Sequence, residues 1–104
     1  MDALMVEKVG PSTFRLSGEL DLAKAGDLDR ILERELPEAG DLTLDLVDVD
    51  FLDSAVIGVF ARAARALEGR GRLVLISPTS AVRLALDTVR LDLRSNIEVR
   101  DDAL

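Results

Sequence analysis

The sequence contains no cysteine, histidine, tryptophan or tyrosine, and these absences exclude several kinds of site. Without histidine and cysteine, the chain cannot build a Ser-His-Asp triad, a thiolate nucleophile or a zinc site with the usual nitrogen and sulfur ligands. Without cysteine it also has no disulfide framework, which fits a reducing compartment. We therefore expect a protein that is not an enzyme, has no catalytic residues, and binds no metal or cofactor.

Basic residues are also scarce, because 13 lysines and arginines stand against 20 aspartates and glutamates, a formal net charge of −7. Nucleic acid and anionic membranes bind clustered Lys and Arg, so this balance argues against both as partners. Three phenylalanines are the only aromatic residues, which leaves no platform on which bases could stack. We expect the partner to be another protein.

Long hydrophobic runs are absent as well. No apolar stretch approaches the roughly 20 residues that span a bilayer, and the longest, 55–61, ends at Arg62. The first residues show neither the basic nor the apolar region of a signal peptide, so we expect no membrane insertion and a cytoplasmic location. With 104 residues, 48% of them apolar and 32% charged, the composition is that of one globular domain spanning 1–104.

What is present is an alternation of β-type and α-type segments, which begins with a hairpin. Two short β-type runs, 4–9 and 13–16, flank a turn that contains glycine and proline. Asp21 follows as a candidate helix N-cap, and apolar residues then recur at helical spacing over 22–36. This pattern predicts a first helix with Leu22 among its inward residues.

The same alternation continues to the end of the chain. Residues 42–46 alternate with period two and predict a strand, whereas the Ala-rich segment 55–67 predicts a second helix. The apolar run 73–76 predicts a strand buried on both faces, 77–80 start a third helix, and 97–99 are a candidate last strand. The order ββαβαβα(β) predicts right-handed crossovers and a mixed, mostly parallel α/β sheet.

Four aspartates crowd the segment before the second helix, at Asp45, Asp48, Asp50 and Asp53. Asp48 and Asp50 are similar to the paired aspartates of haloacid-dehalogenase phosphatases, and Asp45 lies where a response-regulator receiver carries its phosphoacceptor. Both classes also need a lysine later in the chain, and none follows Lys24. We therefore interpret the four carboxylates as solvated residues of the strand face and loop.

Ser54 admits two interpretations at the start of the second helix. As a structural residue it caps the helix, its hydroxyl oxygen accepting the N–H of Val56 or Ile57, which would stabilise the domain by about 1 kcal/mol. As a functional residue it lies where a phosphate is favoured, because helix N-termini offer free N–H groups and the positive end of the helix dipole. The strong preference for serine at helix N-caps favours the structural interpretation. Gly58, one turn later, predicts a close approach of this helix to the sheet.

Two sequence motifs lie one helix and one strand apart, at 16–21 (LSGELD) and 51–59 (FLDSAVIGV). Together they resemble the STAS domain family, whose best-known soluble members are bacterial anti-sigma factor antagonists, with the patterns L-[ST]-G-E-L-D and F-[ILM]-D-S-[ST]-G-L-G-V. Ser77 and Pro78 resemble the family's next strand-to-helix step, so the resemblance covers nearly the whole chain. It implies a STAS-like α/β fold, a mixed sheet with helices packed mainly on one face.

The resemblance also implies a regulatory protein-binding module. Such domains bind the ATPase-fold domain of a serine kinase that also acts as an anti-sigma factor, and this binding releases the sigma factor. The kinase inactivates its antagonist by phosphorylating a Ser or Thr at the start of the helix. Carried over by position, the partner-binding residues expected here are Asp21, Asp53, Ser54, Ala55 and Gly58, with Asp21 and Asp53 exposed.

The sequence departs from the family pattern where the phosphate is usually accepted. The acceptor is the second hydroxyl residue of D-S-[ST]-G, and this chain has Ala55 there, followed by Val56 in place of glycine. Three alternatives stay open: a constitutive antagonist, a variant phosphorylated on Ser54, or a STAS domain with another partner, such as the STAS subunit of a lipid-transport ABC complex or a stress-signalling assembly. A phosphotransfer enzyme is the alternative from another class, and the missing His, Cys and late Lys argue against it.

Overall fold

A β-hairpin opens the fold and supplies the first two strands of the sheet. β1 (Met5–Gly10) pairs antiparallel with β2 (Thr13–Leu20), and Ser12 in the turn takes a left-handed φ of 48°. β2 continues past its predicted end at Leu16, because residues 17–20 keep pairing with the strand on its other side. The first motif therefore lies at the carboxyl-terminal end of β2.

Helices and strands alternate after the hairpin. In order, these elements are α1 (Leu22–Glu35), β3 (Leu42–Leu52), α2 (Ser54–Leu67), β4 (Leu73–Ile76), α3 (Ser80–Thr88) and β5 (Ile97–Arg100). The structure is a computed structural model that describes residues 4–91 and 96–101. The sheet has the order β1-β2-β3-β4-β5, in which β2 to β5 run parallel, so the predicted α/β class and mixed sheet are confirmed. None of the described helices is long and apolar enough to cross a membrane.

One face of the sheet carries the helices. Alternate residues of β3 and β4 point to this face and share a single core cluster with the buried residues of all three helices. Representative members are Leu42, Leu44, Leu46, Leu73 and Leu75 of the strands with Leu28, Leu32, Val59, Phe60, Val82 and Leu86 of the helices. Val74 and Ile76 lie outside this cluster and are still only 2% and 1% exposed, so β4 is buried on both faces as predicted.

β3 is longer than the period-two pattern of 42–46 predicts, because two irregularities in its pairing with β2 hide the period. The register shifts by one residue after Asp45 and again after Val49. Each extra residue breaks the alternation of inward and outward side chains. Asp48 and Asp50 are therefore exposed residues of a strand rather than of a loop, and the strand runs on to Leu52.

Asp45 is buried, with 5% of its surface exposed, so the prediction that it is solvated is wrong. Arg15 lies opposite on β2, and its Nε donates to Asp45 Oδ2 at 3.2 Å. The other carboxylate oxygen accepts the N–H of Val47 at 3.0 Å. A buried carboxylate is tolerated where it is paired in this way. The pairing depends on the register of two strands, which composition alone does not reveal.

Candidate partner-binding site

The two sequence motifs meet at one edge of the sheet, where β2 and β3 end side by side. Leu20 and Leu52 are paired, and the N–H of Asp53 donates to the carbonyl oxygen of Leu20 at 3.2 Å. Asp21 and Asp53 each come one residue later, with nearly the same extended backbone (φ −102° and −105°, ψ 179° and 177°). We call this region, the ends of β2 and β3 with the first turns of α1 and α2, the carboxyl edge.

Asp53, and not Ser54, caps α2, so the predicted Ser54 cap is wrong. Asp53 Oδ1 accepts the N–H of Ala55 at 3.0 Å and that of Val56 at 3.3 Å. A capping residue keeps an extended backbone, as Asp53 does, whereas Ser54 is already the first helical residue. Ser54 is exposed, and its hydroxyl has no hydrogen-bond partner within the described ranges.

The corrected cap predicts a difference in stability between two adjacent substitutions. Asp53→Ala should lower the free energy of unfolding by about 1 kcal/mol, because two N–H groups at the start of α2 lose their acceptor. Ser54→Ala should change it by less than about 0.5 kcal/mol, since an exposed hydroxyl is lost. Urea unfolding followed by circular dichroism measures both. A larger loss from Ser54→Ala would restore the serine as the capping residue.

Asp21 occupies the N-cap position of α1, as predicted, but its side chain makes no capping hydrogen bond. The carbonyl oxygen of Asp21 accepts the N–H of Lys24 at 3.0 Å. Its Oδ1 atom is buried and finds no hydrogen-bond partner among residues 4–91 and 96–101. Asp21 and Asp53 are both half-buried, which corrects the expectation that they are exposed.

Ala55 and Gly58 extend the site along α2, and the packing role predicted for Gly58 is wrong. Ala55 is half-buried and packs against the core. A Cβ built on Gly58 would meet Arg62 Nη1 at 3.9 Å and no atom of the sheet. Gly58 therefore does not allow a close approach of helix and sheet, because Val59 fills that side of α2. It lies one helical turn after Ser54, on the outward side.

Leu22 and Phe51 are exposed apolar residues of the carboxyl edge that sequence reasoning did not assign to the site. Leu22 is the first residue of α1 and is 72% exposed, so its predicted inward position is wrong. It lies beyond Leu20, the last core residue of β2. Phe51 is 48% exposed and lies on the sheet face opposite the helices, since its neighbour Leu52 points into the core. Its place inside the second motif was the available signal.

The carboxyl edge is acidic, and its carboxylates have no ion-pair partners in the described part of the chain. The nearby cation, Lys24, donates from Nζ to the carbonyl oxygen of Glu19 at 2.5 Å and not to a carboxylate. Among the described residues, no three His, Cys, Asp or Glu side chains are placed to hold a metal ion. The carboxylates in question are those of Glu19, Asp21, Asp48, Asp50 and Asp53.

Solved structures of known proteins share this fold, whereas no curated protein sequence matches the chain. A Thermotoga maritima protein assigned as an anti-sigma factor antagonist superposes with a TM-score of 0.74 at 22% identity, covering 95% of this chain and 86% of that one. The anti-sigma factor antagonist SpoIIAA in its unphosphorylated form superposes with a TM-score of 0.63 at 19% identity, covering 97% and 90%. At these identities the likeness shows a common fold.

A family model extends the comparison to the sequence. The model described as "Mlab, STAS domain" matches residues 5–97. The matched range includes both motifs, the carboxyl edge and all five residues predicted to bind the partner. Because the match spans most of the chain, and the fold agrees with it, this protein belongs to the STAS domain family.

Proposed function

We propose that this STAS domain is an anti-sigma factor antagonist, a regulatory module that binds a serine kinase acting as an anti-sigma factor and thereby releases a sigma factor. The observation that carries the proposal is the position of Asp21 beside the turn 53–55 at one edge of the sheet. The STAS resemblance assigns partner binding to these residues. Sigma factors act in the cytoplasm, so the proposal includes a cytoplasmic location.

The chemistry of the carboxyl edge favours binding over catalysis. Its carboxylates make no ion pair in the described part of the chain, so basic side chains of a bound protein can pair with them. The sequence has no histidine or cysteine, the side chains that most often serve as general base or strong nucleophile near neutral pH. We therefore propose a binding role without enzymatic activity.

The proposed antagonist lacks the usual phosphate switch. Ala55 occupies the acceptor position and has no hydroxyl. The Ala55 N–H donates to the Asp53 carboxylate, so a negatively charged group already accepts this hydrogen bond in the first turn of α2. Phosphorylation of residue 55 therefore does not regulate binding of the partner. Ser54, the adjacent residue, carries the hydroxyl that could take its place.

Displacement of a sigma factor tests the proposed function. The chain is added to a purified complex of an ATPase-fold serine kinase and its fluorescently labelled sigma factor from the same organism. We expect the fluorescence anisotropy of the sigma factor to fall toward its free value, because release leaves a smaller particle. Asp21→Lys is the control and should leave the anisotropy unchanged. A complex that stays intact with saturating wild-type chain contradicts the function.

A STAS subunit of another assembly, such as a lipid-transport ABC complex, is the second candidate. Two observations favour it: the matched family description names Mlab, and Ala55 removes the acceptor on which the usual antagonist switch depends. Gene neighbours distinguish the two candidates. Kinase or sigma-factor genes beside this one favour the antagonist, whereas permease and ATPase genes favour the transport subunit.

A further inference from the structure

Leu22 and Phe51 are the large apolar side chains that the carboxyl edge leaves in water, 72% and 48% exposed. They flank the paired turns at Asp21 and Asp53 from two sides. Leu22 starts α1 in the helix layer, whereas Phe51 lies on the sheet face that carries no helix. Single exposed apolar residues are common on protein surfaces, but these two lie on either side of the edge to which the STAS resemblance assigns partner binding. A partner that covers both of them must wrap around the edge.

The charge around these two side chains restricts what can cover them. Glu19 is paired with Phe51 in the strand register, Asp50 precedes Phe51, and Asp21 precedes Leu22. None of these three carboxylates is in an ion pair within residues 4–91 and 96–101. A second copy of the chain would bring the same carboxylates face to face across a two-fold interface, where like charges repel.

We infer that Leu22 and Phe51 are the apolar anchors of the partner-binding surface, and that the partner covers them with apolar recesses surrounded by Lys or Arg side chains. A basic surface would pair with the carboxylates that make no ion pair in the described chain. The inference rests on the proposed binding role of the carboxyl edge but not on the partner's identity. It adds two residues to those assigned by resemblance and states the chemistry of the partner.

Matched alanine substitutions test the two anchors. The immobilised wild-type chain selects a stoichiometric partner from a lysate of the source organism, and that partner is purified and titrated by calorimetry. Leu22→Ala and Phe51→Ala should each weaken binding at least about 10-fold, as expected of buried anchors. The controls on and after α3, Leu84→Ala (68% exposed) and Val89→Ala (47% exposed), should change the affinity less than about 2-fold. All four variants should keep the wild-type melting temperature.

Charge reversal and salt test the chemistry of the partner. Asp50→Lys should weaken binding at least about 10-fold, whereas Glu38→Lys, exposed in the loop between α1 and β3, should bind like wild type. Raising NaCl from about 50 to 500 mM should also weaken the wild-type complex, because salt screens exposed charges. Binding that is insensitive to salt and to Asp50→Lys would overturn the basic partner surface.

The outcomes for the anchors and for the proposed function are separate. If Leu22→Ala and Phe51→Ala bind like Leu84→Ala and Val89→Ala, the anchors are overturned even when the partner is a serine kinase. If the partner is another kind of protein and the anchor pattern holds, the proposed function fails and the inference stands. The inference also fails if the wild-type chain selects no partner or forms a complex only with itself.

Discussion

Replacing Asp21 with lysine should abolish binding of the partner while the domain stays folded. The Asp21 side chain makes no capping hydrogen bond, so α1 loses none when it is replaced, and a lysine can extend its ammonium group into water. The reversed charge would face the basic surface that we assign to the partner. Losses at such desolvated charges reach about 2–5 kcal/mol, which is about 30-fold or more in Kd. Calorimetric titration of the purified partner measures the effect, and circular dichroism checks the fold.

Asp53→Lys should abolish binding as well, but it also removes the cap of α2 and so combines two effects. Asp53→Asn separates them, because an amide oxygen can still accept the N–H groups of Ala55 and Val56 while the charge is lost. We expect Asp53→Asn to keep most of the stability and to weaken binding. Normal binding by both Asp21→Lys and Asp53→Lys would show that the carboxyl edge is not the interface.

The order of elements could be predicted because each one has a local pattern. Helical spacing within 22–36 and the apolar run 73–76 need no long-range information to be recognised. β3 shows the limit of this approach, because its two register irregularities interrupt the period and place aspartates on the strand. Asp45 shows a second limit. Its burial depends on Arg15 being opposite, which follows from strand register and not from the residues around it.

The sequence predicted which segments form the candidate site. It did not predict correctly which residue caps α2 or that Leu22 is exposed. The two motifs place Asp21 and Asp53 at strand ends, and parallel strands bring such ends together. Which residue caps α2 depends on where the backbone changes from extended to helical, a difference of one residue. The exposure of Leu22 has the same origin, since a helical apolar stripe does not tell whether its first residue still faces the core.

Phosphorylation should depend on which of two adjacent positions carries the hydroxyl. We expect the wild-type chain to resist its cognate serine kinase and Ala55→Ser to be phosphorylated on residue 55. Successive residues of an α-helix are rotated by about 100° and displaced by about 1.5 Å, so Ser54 points in another direction than residue 55. A kinase docked on Asp21 and Asp53 would present its γ-phosphate in one direction. A misplacement of about 1 Å can cost about 100-fold in rate.

Ser54 competes with residue 55 as phosphate acceptor more strongly than a capping serine would, because its exposed hydroxyl makes no capping hydrogen bond to α2. The double substitution Ser54→Ala with Ala55→Ser is therefore the control and should still be phosphorylated. Mass spectrometry after incubation with kinase and ATP locates the phosphate. Stoichiometric phosphate on wild-type Ser54 would show that the acceptor has moved by one residue. If a kinase is shown to bind and yet phosphorylates neither the wild type nor Ala55→Ser, docking at this edge does not lead to phosphate transfer. That result is expected of a STAS domain from a different assembly.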